Sequence, residues 1–204
     1  MRLLYKVYKH IGRSIDREHQ LLNALVRTNS LYKVLHAKKL KIVLVGSNAV
    51  GKTSIANRFT RNLFANRYIE TLGSDFYIKK LAIETSKGSE EYRLVLLDIG
   101  GNVAFREFRK IYMDHADIVF IVFALDDPDS FDVDEFLDDI HAMTSRPAFA
   151  LVGNKLDLVE KDSIDLSRID ALAESNGVPV YLTSAKENIM IQEMFVDMVK
   201  KMST

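Results

Sequence analysis

Gly46-Ser47-Asn48-Ala49-Val50-Gly51-Lys52-Thr53 satisfies the pattern G-x-x-x-x-G-K-T in full. An apolar, strand-like run (40–45) leads into it, and a helix-like stretch (54–62) leads out. Glycines let the backbone curl so that consecutive N–H groups point at phosphate oxygens, and the helix N-terminus adds partial positive charge. In such a loop Lys52 reaches the outer phosphates, and the Thr53 hydroxyl takes one position on Mg²⁺. A bare match of this length arises by chance, but the strand before it and the helix after it make a ligand-free turn a poor reading.

Outward from the loop, strand-like and helix-like segments alternate. Strands are expected at 40–45, 76–83, 92–97, 118–124, 148–152 and 178–182, and helices at 52–62, 103–115, 129–144, 166–176 and 187–202. The turn Ser86-Lys87-Gly88-Ser89 makes the second and third strands a hairpin. The run Ile118-Val119-Phe120-Ile121-Val122-Phe123 suits a sheet covered on both faces. The expected fold is α/β: a mostly parallel sheet of six strands flanked by helices on both faces, with one antiparallel edge hairpin. Ligands of such sheets bind beyond the carboxyl ends of the strands, where every motif of this chain falls.

Composition narrows the function classes. The chain has 204 residues, enough for one ordinary domain and an appendage, and 48% of them are apolar. It has no Cys, which excludes disulfides, thiolate zinc sites and Cys nucleophiles and is compatible with a reducing cytosol. No apolar run approaches the roughly 20 residues that span a bilayer, and the start, Met1-Arg2-Leu3-Leu4-Tyr5-Lys6, does not read as a secretory signal. Net charge is zero but uneven: residues 1–41 hold ten Lys/Arg against two Asp/Glu, a net +8, and the remainder, 18 basic against 26 acidic, carries −8.

Three further motifs carry chemistry. Asp98-Ile99-Gly100-Gly101 closes the third strand, where an Asp holds Mg²⁺ through a water and the Gly101 N–H meets a terminal phosphate. After the fifth strand comes Asn154-Lys155-Leu156-Asp157. A carboxylate there accepts both N1–H and the exocyclic amine of guanine, which adenine does not offer, and the Lys155 stem lies along the purine face. Thr183-Ser184-Ala185-Lys186 follows the last strand and brings backbone N–H groups to the guanine O6.

These four motifs, in this order, resemble those of the Ras superfamily of small GTPases, P-loop NTPases, over about residues 40–202. Residues 68–76, residues 105–117 and the turn Asp129-Ser130-Phe131 are similar to Rab proteins. The resemblance implies a guanine-nucleotide switch that binds GTP or GDP with Mg²⁺ and hydrolyses GTP. It implies that Asn48, Ala49, Val50, Gly51, Lys52, Thr53 and Ser54 cradle the phosphates, that Tyr68 closes over them, and that Phe64 stacks near the guanine. Asn154, Lys155, Asp157, Ser184, Ala185 and Lys186 would hold the base. Mg²⁺ would be held by Thr53, by Thr71 in the triphosphate state, and by Asp98 through water. Lys52 and Gly101 would stabilise the transferring phosphoryl group, and Asn102 would place the attacking water. Phe76, Leu97 and Tyr112 align with an aromatic triad that Rab proteins show to partners, with Leu97 in place of the usual Trp, so effectors and regulators are expected to read residues 68–76 and 100–112. Loss of the terminal phosphate would release the loops of Thr71 and Gly101 together.

The chain departs from that pattern at several points. Asn102 replaces the usual Gln, with an amide one methylene shorter, and Asn48 puts a larger side chain at the third loop position. Slow intrinsic turnover and a weak response to an arginine-finger activator are expected. The alternative is a GTP-loaded scaffold with no useful hydrolysis. Ile99-Gly100-Gly101 is similar to the D-x-G-G of Arf-type GTPases. The chain ends Lys200-Lys201-Met202-Ser203-Thr204, without a prenylation Cys, and lacks an initial Met-Gly.

Residues 1–39 read as a basic amphipathic helical extension ahead of a G domain at 40–204. Its apolar stripe (Leu4, Val7, Tyr8, Ile11, Ile15) suits docking on the domain or on a partner helix, or peripheral contact with anionic lipid at the cytosolic face of a membrane. Too few aromatics interleave the basic residues for specific nucleic-acid binding, and a cytoplasmic monomer is expected. Asp126, Asp127, Asp129, Asp132, Asp134, Glu135, Asp138 and Asp139 read as a solvated helix face, the five His as surface or packing residues, and Met190, Met194, Met198 and Met202 as core packing on the last helix.

Overall fold

The computed structural model describes residues 37–64, 74–85, 88–101, 106–160, 164 and 166–202. Strand β1 (Lys38–Val45) runs into the phosphate loop, and helix α1 (Lys52–Arg61) leaves it. The hairpin β2 (Ser74–Thr85) and β3 (Gly88–Ile99) is followed by α2 (Arg106–Met113) and β4 (Ile118–Ala124). Then come α3 (Asp134–Ala142), β5 (Ala148–Asn154), α4 (Ser167–Asn176), β6 (Val180–Leu182) and α5 (Ile191–Lys201). The strands form one six-stranded sheet in the order β2-β3-β1-β4-β5-β6. The β1–β4, β4–β5 and β5–β6 pairs are parallel and β2–β3 is antiparallel, as the sequence led us to expect.

Strand β4 shows why both faces are covered, since all seven of its residues are buried. Successive side chains point to opposite faces of a sheet. Accordingly, Ile118, Phe120 and Val122 join a core with Ile55, Ala56 and Phe59 of α1 and Met194, Phe195 and Met198 of α5. Val119, Ile121 and Phe123 join a second core with Met113 of α2, Phe136, Leu137 and Ile140 of α3, and Ile169 and Ala173 of α4. In the first core Phe59 and Phe195 stack with ring centres 3.7 Å apart. Such a pair adds about 0.5–1.5 kcal/mol beyond its buried area. This packing fixes α1, and with it the phosphate loop, against the sheet.

Several elements differ from the sequence reading, each for a local reason. The hairpin strands are longer than expected: Gly88 and Ser89 belong to β3, pairing with Thr85 and Glu84, while Ser86 and Lys87 lie outside the described residues. The helix expected from 129 starts only at Asp134. Pro128 opens a short 3-10 turn, and the Ser130 hydroxyl, accepting from the Ala124 N–H (2.8 Å) and donating to the Asp127 carbonyl (2.5 Å), ties that turn to the end of β4. The last helix starts at Ile191 rather than 187. Asn188 (φ 58°) and Met190 (φ 58°) are left-handed, and Ser184 and Ile189 exchange backbone hydrogen bonds across the loop.

The methionine stripe is therefore only half in the core: Met194 and Met198 are buried, whereas Met190 and Met202 are exposed. Both exposed residues lie outside α5, Met190 as its left-handed N-cap and Met202 as its C-cap, so the helix buries only the two inner members of the stripe. Asp139 is also not part of a solvated face. It is buried and accepts from Arg109 Nε (2.9 Å) and a terminal guanidinium nitrogen (2.6 Å), with Glu135 on the same guanidinium and Phe136 beneath it. A buried carboxylate is tolerated when it is paired in this way.

Candidate functional site

The phosphate loop, Gly101, the 155–157 loop and the 183–186 loop all follow the carboxyl ends of their strands. Lys52 opens α1 almost fully buried, and its ammonium donates to the carbonyls of Gly46 (2.8 Å) and Ser47 (2.7 Å). An ammonium has three donors, so these two bonds leave one for an anion. Burial pushes the Lys52 pKa down to about 8, with the Asp98 charge opposing. The next residue, Thr53, donates its hydroxyl to Asp98 Oδ2. Burial raises the Asp98 pKa, the Thr53 hydrogen bond and the Lys52 charge pull it back, and the neighbouring Asp75 adds an upward push.

Two glycines show how tightly this end is closed. A Cβ on Gly101 would stand 2.5 Å from the Ser47 carbonyl carbon and 2.6 Å from the Asn48 nitrogen. The end of β3 therefore abuts the crown of the loop, where Asn48 and the left-handed Ala49 (φ 60°) are exposed. A Cβ on Gly51 (φ 98°) would stand 2.2 Å from Asn154 Nδ2. That contact is where the phosphate loop meets the other end of the site.

Asn154 joins three loops. Its amide nitrogen donates to the Val50 carbonyl (2.9 Å), and its Oδ1 accepts from the Ala185 N–H (3.1 Å) and from the Thr183 hydroxyl (3.2 Å). Asp157 accepts from the Ser184 hydroxyl at 2.5 Å and lies 3.5 Å from the Lys186 ammonium. The Leu156 N–H donates to the Thr183 carbonyl (2.9 Å), and the Ser184 hydroxyl accepts the Glu187 N–H (3.0 Å). Lys155 has a left-handed backbone (φ 66°), and its ammonium sits 3.1 Å from Asp126.

Residues 41–204 match the profile of the Ras family. Ras-related protein Rab-21 of Canis lupus familiaris is 34% identical over 168 residues, covering 81% of this chain and 74% of its own length. The GTP-binding protein YPTM1 of Zea mays is 34% identical over 160 residues, covering 78% and 75%. Ras-related protein Rab-30 of Homo sapiens is 32% identical, covering 78% and 77%. The chain belongs to the Ras family. It is a Rab-like small GTPase, a switch enzyme that converts GTP to GDP and phosphate.

Family membership implies Mg²⁺, and the residues of this GTPase fit that ion. Asp98 Oδ1 is buried with no hydrogen-bond partner among the described residues, and the Thr53 hydroxyl stands at the other oxygen of the same carboxylate. Both are hard oxygen donors of the kind Mg²⁺ prefers. Among the described residues there is no group of three or more His, Cys, Asp or Glu that could hold a metal. An ion at Asp98 and Thr53 would take its other positions from phosphate and water oxygens, the usual arrangement for Mg²⁺.

Tyr68, Thr71 and Asn102 lie outside the described residues, as do residues 1–36. Phe64 is half-buried with the Arg58 guanidinium 5.9 Å from its ring centre. Of the aromatic triad, Phe76 is 61% exposed and meets Tyr112 edge-on at 6.4 Å. Leu97, opposite Phe76 in the hairpin register, is buried in the second core and is not presented at the surface.

Two contributors escaped the motif reading of the GTPase. Thr183 is buried and fastens Asn154, a role that its place at the head of T-S-A-K could have signalled. Arg58 bonds the carbonyls of Ala185 (2.7 Å) and Lys186 (2.8 Å) from 127 and 128 residues away, and a lone Arg on a helix gives no sequence signal for that.

Proposed function

We propose that this GTPase is a slow, Mg²⁺-dependent switch working in the cytoplasm, with effectors and regulators reading residues 68–76 and 100–112. The observation that carries this reading is the buried Asp98, whose one oxygen takes the Thr53 hydroxyl and whose other oxygen has no protein partner among the described residues. A carboxylate buried in that way is costly unless it serves a cation. Mg²⁺, when bound, neutralises charge on the β- and γ-phosphate oxygens. Lys52 adds its charge and spare donor, and the loop N–H groups, with Gly101, hold the phosphoryl oxygens. In the reaction a water oxygen bonds to the γ-phosphorus while the bond from that phosphorus to the β–γ bridging oxygen breaks, giving GDP and inorganic phosphate.

At the other end Asp157 accepts the two guanine N–H groups, Asn154, Ser184, Ala185 and Lys186 frame the base, and Lys155 lies along its face. Phe64, Tyr68 and Thr71 would cover the nucleotide from the first switch. Exposed Phe76 and half-buried Tyr112 form the aromatic part of the effector surface, and the residues ahead of β1, rather than all of 1–39, form an extension that docks on a partner helix or a membrane surface. No helix among the described residues is long and apolar enough to cross a membrane.

Slow turnover rests on Asn102, whose short amide holds the attacking water poorly. A second reading, a GTP-loaded scaffold without hydrolysis, is favoured by Asn48, which stands exposed at the loop crown beside Gly101. Single-turnover phosphate release from GTP preloaded with Mg²⁺ separates the two. The switch reading expects a measurable rate, lost in Lys52→Ala and raised about tenfold or more by Asn102→Gln, since misplacement of a reacting group costs up to about a hundredfold. GTP that stays bound and intact on both the wild type and Asn102→Gln would establish the scaffold.

A further inference from the structure

We infer that Arg109 clamps α2, the helix that follows the Gly101 loop, onto α3, so that α2 keeps its seat in the GDP state as well as in the GTP state. Glu135 and Asp139 stand four residues apart on α3, one turn from each other on a single helix face. Two carboxylates at that spacing repel and weaken a helix that has to hold them alone. Arg109 of α2 supplies the cation between them. Its Nε–H and one terminal nitrogen donate to Asp139 Oδ2 at 2.9 Å and 2.6 Å, and the same terminal nitrogen donates to Glu135. The guanidinium carbon lies 4.5 Å from the centre of the Phe136 ring, and the Lys110 ammonium approaches the other Asp139 oxygen at 3.8 Å. Arg109 and Asp139 are both buried.

A segment that switches is released when the contacts supplied by the terminal phosphate are lost. The seat of α2 is made of contacts of another kind. Met113 joins the second core with Phe136, Leu137 and Ile140 of α3, and Tyr112 meets Phe76 of β2 edge-on. Neither these contacts nor the ion pairs involve a nucleotide, and a ligand shifts an equilibrium only through contacts that differ between two states. Lifting α2 away would leave Arg109 and Asp139 as uncompensated charges in a buried site, which is strongly destabilising. An ammonium would hold less well, because the planar guanidinium reaches two carboxylates while stacking on an aromatic face. Tyr112 is thereby kept beside Phe76 whichever nucleotide is bound.

Hydrogen exchange at the α2 amides is the test. The N–H groups of residues 110–114 bond within the helix, that of Asp114 to the Lys110 carbonyl at 3.0 Å, and they exchange only when α2 opens. The full chain is measured in Mg²⁺ with GDP and with guanosine 5′-(β,γ-imido)triphosphate, for wild type, Asp139→Ala and Arg109→Lys. Wild-type exchange at these amides should agree between the two nucleotides within about threefold. Asp139→Ala should speed it by about a hundredfold or more with GDP bound, as removal of one partner of a buried pair implies. Arg109→Lys keeps the charge but loses the fork, and should give a rise of about tenfold. If Asp139→Ala does not fold, Arg109→Lys carries the same comparison. Two results would overturn the clamp. One is wild-type exchange at residues 110–114 that is more than about tenfold faster with GDP than with the analogue, the mark of a helix released by phosphate loss. The other is unchanged exchange in the variants.

Discussion

At the base end of the cleft, both polar atoms of the Asn154 side chain, the Thr183 and Ser184 hydroxyls and both Asp157 oxygens have protein partners. At the phosphate end, Asp98 is buried with one oxygen unpartnered among the described residues, and the buried Lys52 bonds only loop carbonyls there. The first end is organised by the protein's own hydrogen bonds. Among the described residues, the second end holds two desolvated, opposite charges that the protein leaves incompletely satisfied. Their pKa values move accordingly, Lys52 down to about 8 and Asp98 upward, each mainly through burial. On the proposed reading, a preorganised end would identify the nucleotide, and an unsatisfied end would sense how many phosphates and which cation have arrived. The second is where a switch can act, since a ligand shifts an equilibrium only through differential contacts.

The comparison can be broken most forcefully at Asp157. Asp157→Asn keeps an acceptor for the Ser184 hydroxyl and replaces the other oxygen with an N–H donor, which suits the carbonyl at position 2 of xanthine and opposes the guanine amine. Preference for GTP over XTP should fall by about a thousandfold or more, because a site built on buried hydrogen bonds rejects a mismatched analogue strongly. Phosphate release from bound XTP should persist, since the phosphate end is untouched. Competition binding followed by single-turnover assay reads both. Loss of both nucleotides together would mean that the two ends are not independent.

A smaller effect is expected at Gly101, where the ends of β3 and the phosphate loop touch. The methyl of Gly101→Ala would press on the Ser47–Asn48 backbone, and overpacking of this kind costs about 1–3 kcal/mol. Affinity for GTP should drop about tenfold more than affinity for GDP, as measured by competition with a fluorescent nucleotide. Equal losses would place the strain outside the γ-phosphate region.

Legibility followed the range of the interactions. The phosphate loop and α1 were readable because glycine spacing, strand and helix are all local, and the buried run of β4 announced a sheet covered on both sides. The bases for Asp98, Asn154, Asp157 and Ser184 lie in short motifs at strand ends, and the structure brings these residues into two clusters. What sequence could not reach were choices made by distant partners. Arg109 lies 30 residues from Asp139, and that pair turns one member of an acidic stretch into a buried ion pair. Arg58 finds its carbonyls 127 residues away. Other misses were local but conflicting: Pro128 and Ser130 split a segment whose apolar spacing suggested a continuous helix, and left-handed Asn188 and Met190 delayed the last one.

The claim that the phosphate end is completed by a cation held at Asp98 is tested most directly by GDP release from the full chain, with Mg²⁺ and after chelation, in wild type and Asp98→Asn. Chelation should speed release from wild type by at least about tenfold, the loss of one strong charged contact. Asp98→Asn should already release GDP at the chelated rate and respond little to the cation. Wild-type release that is indifferent to Mg²⁺, or an Asp98→Asn protein that keeps the full response, would contradict the account.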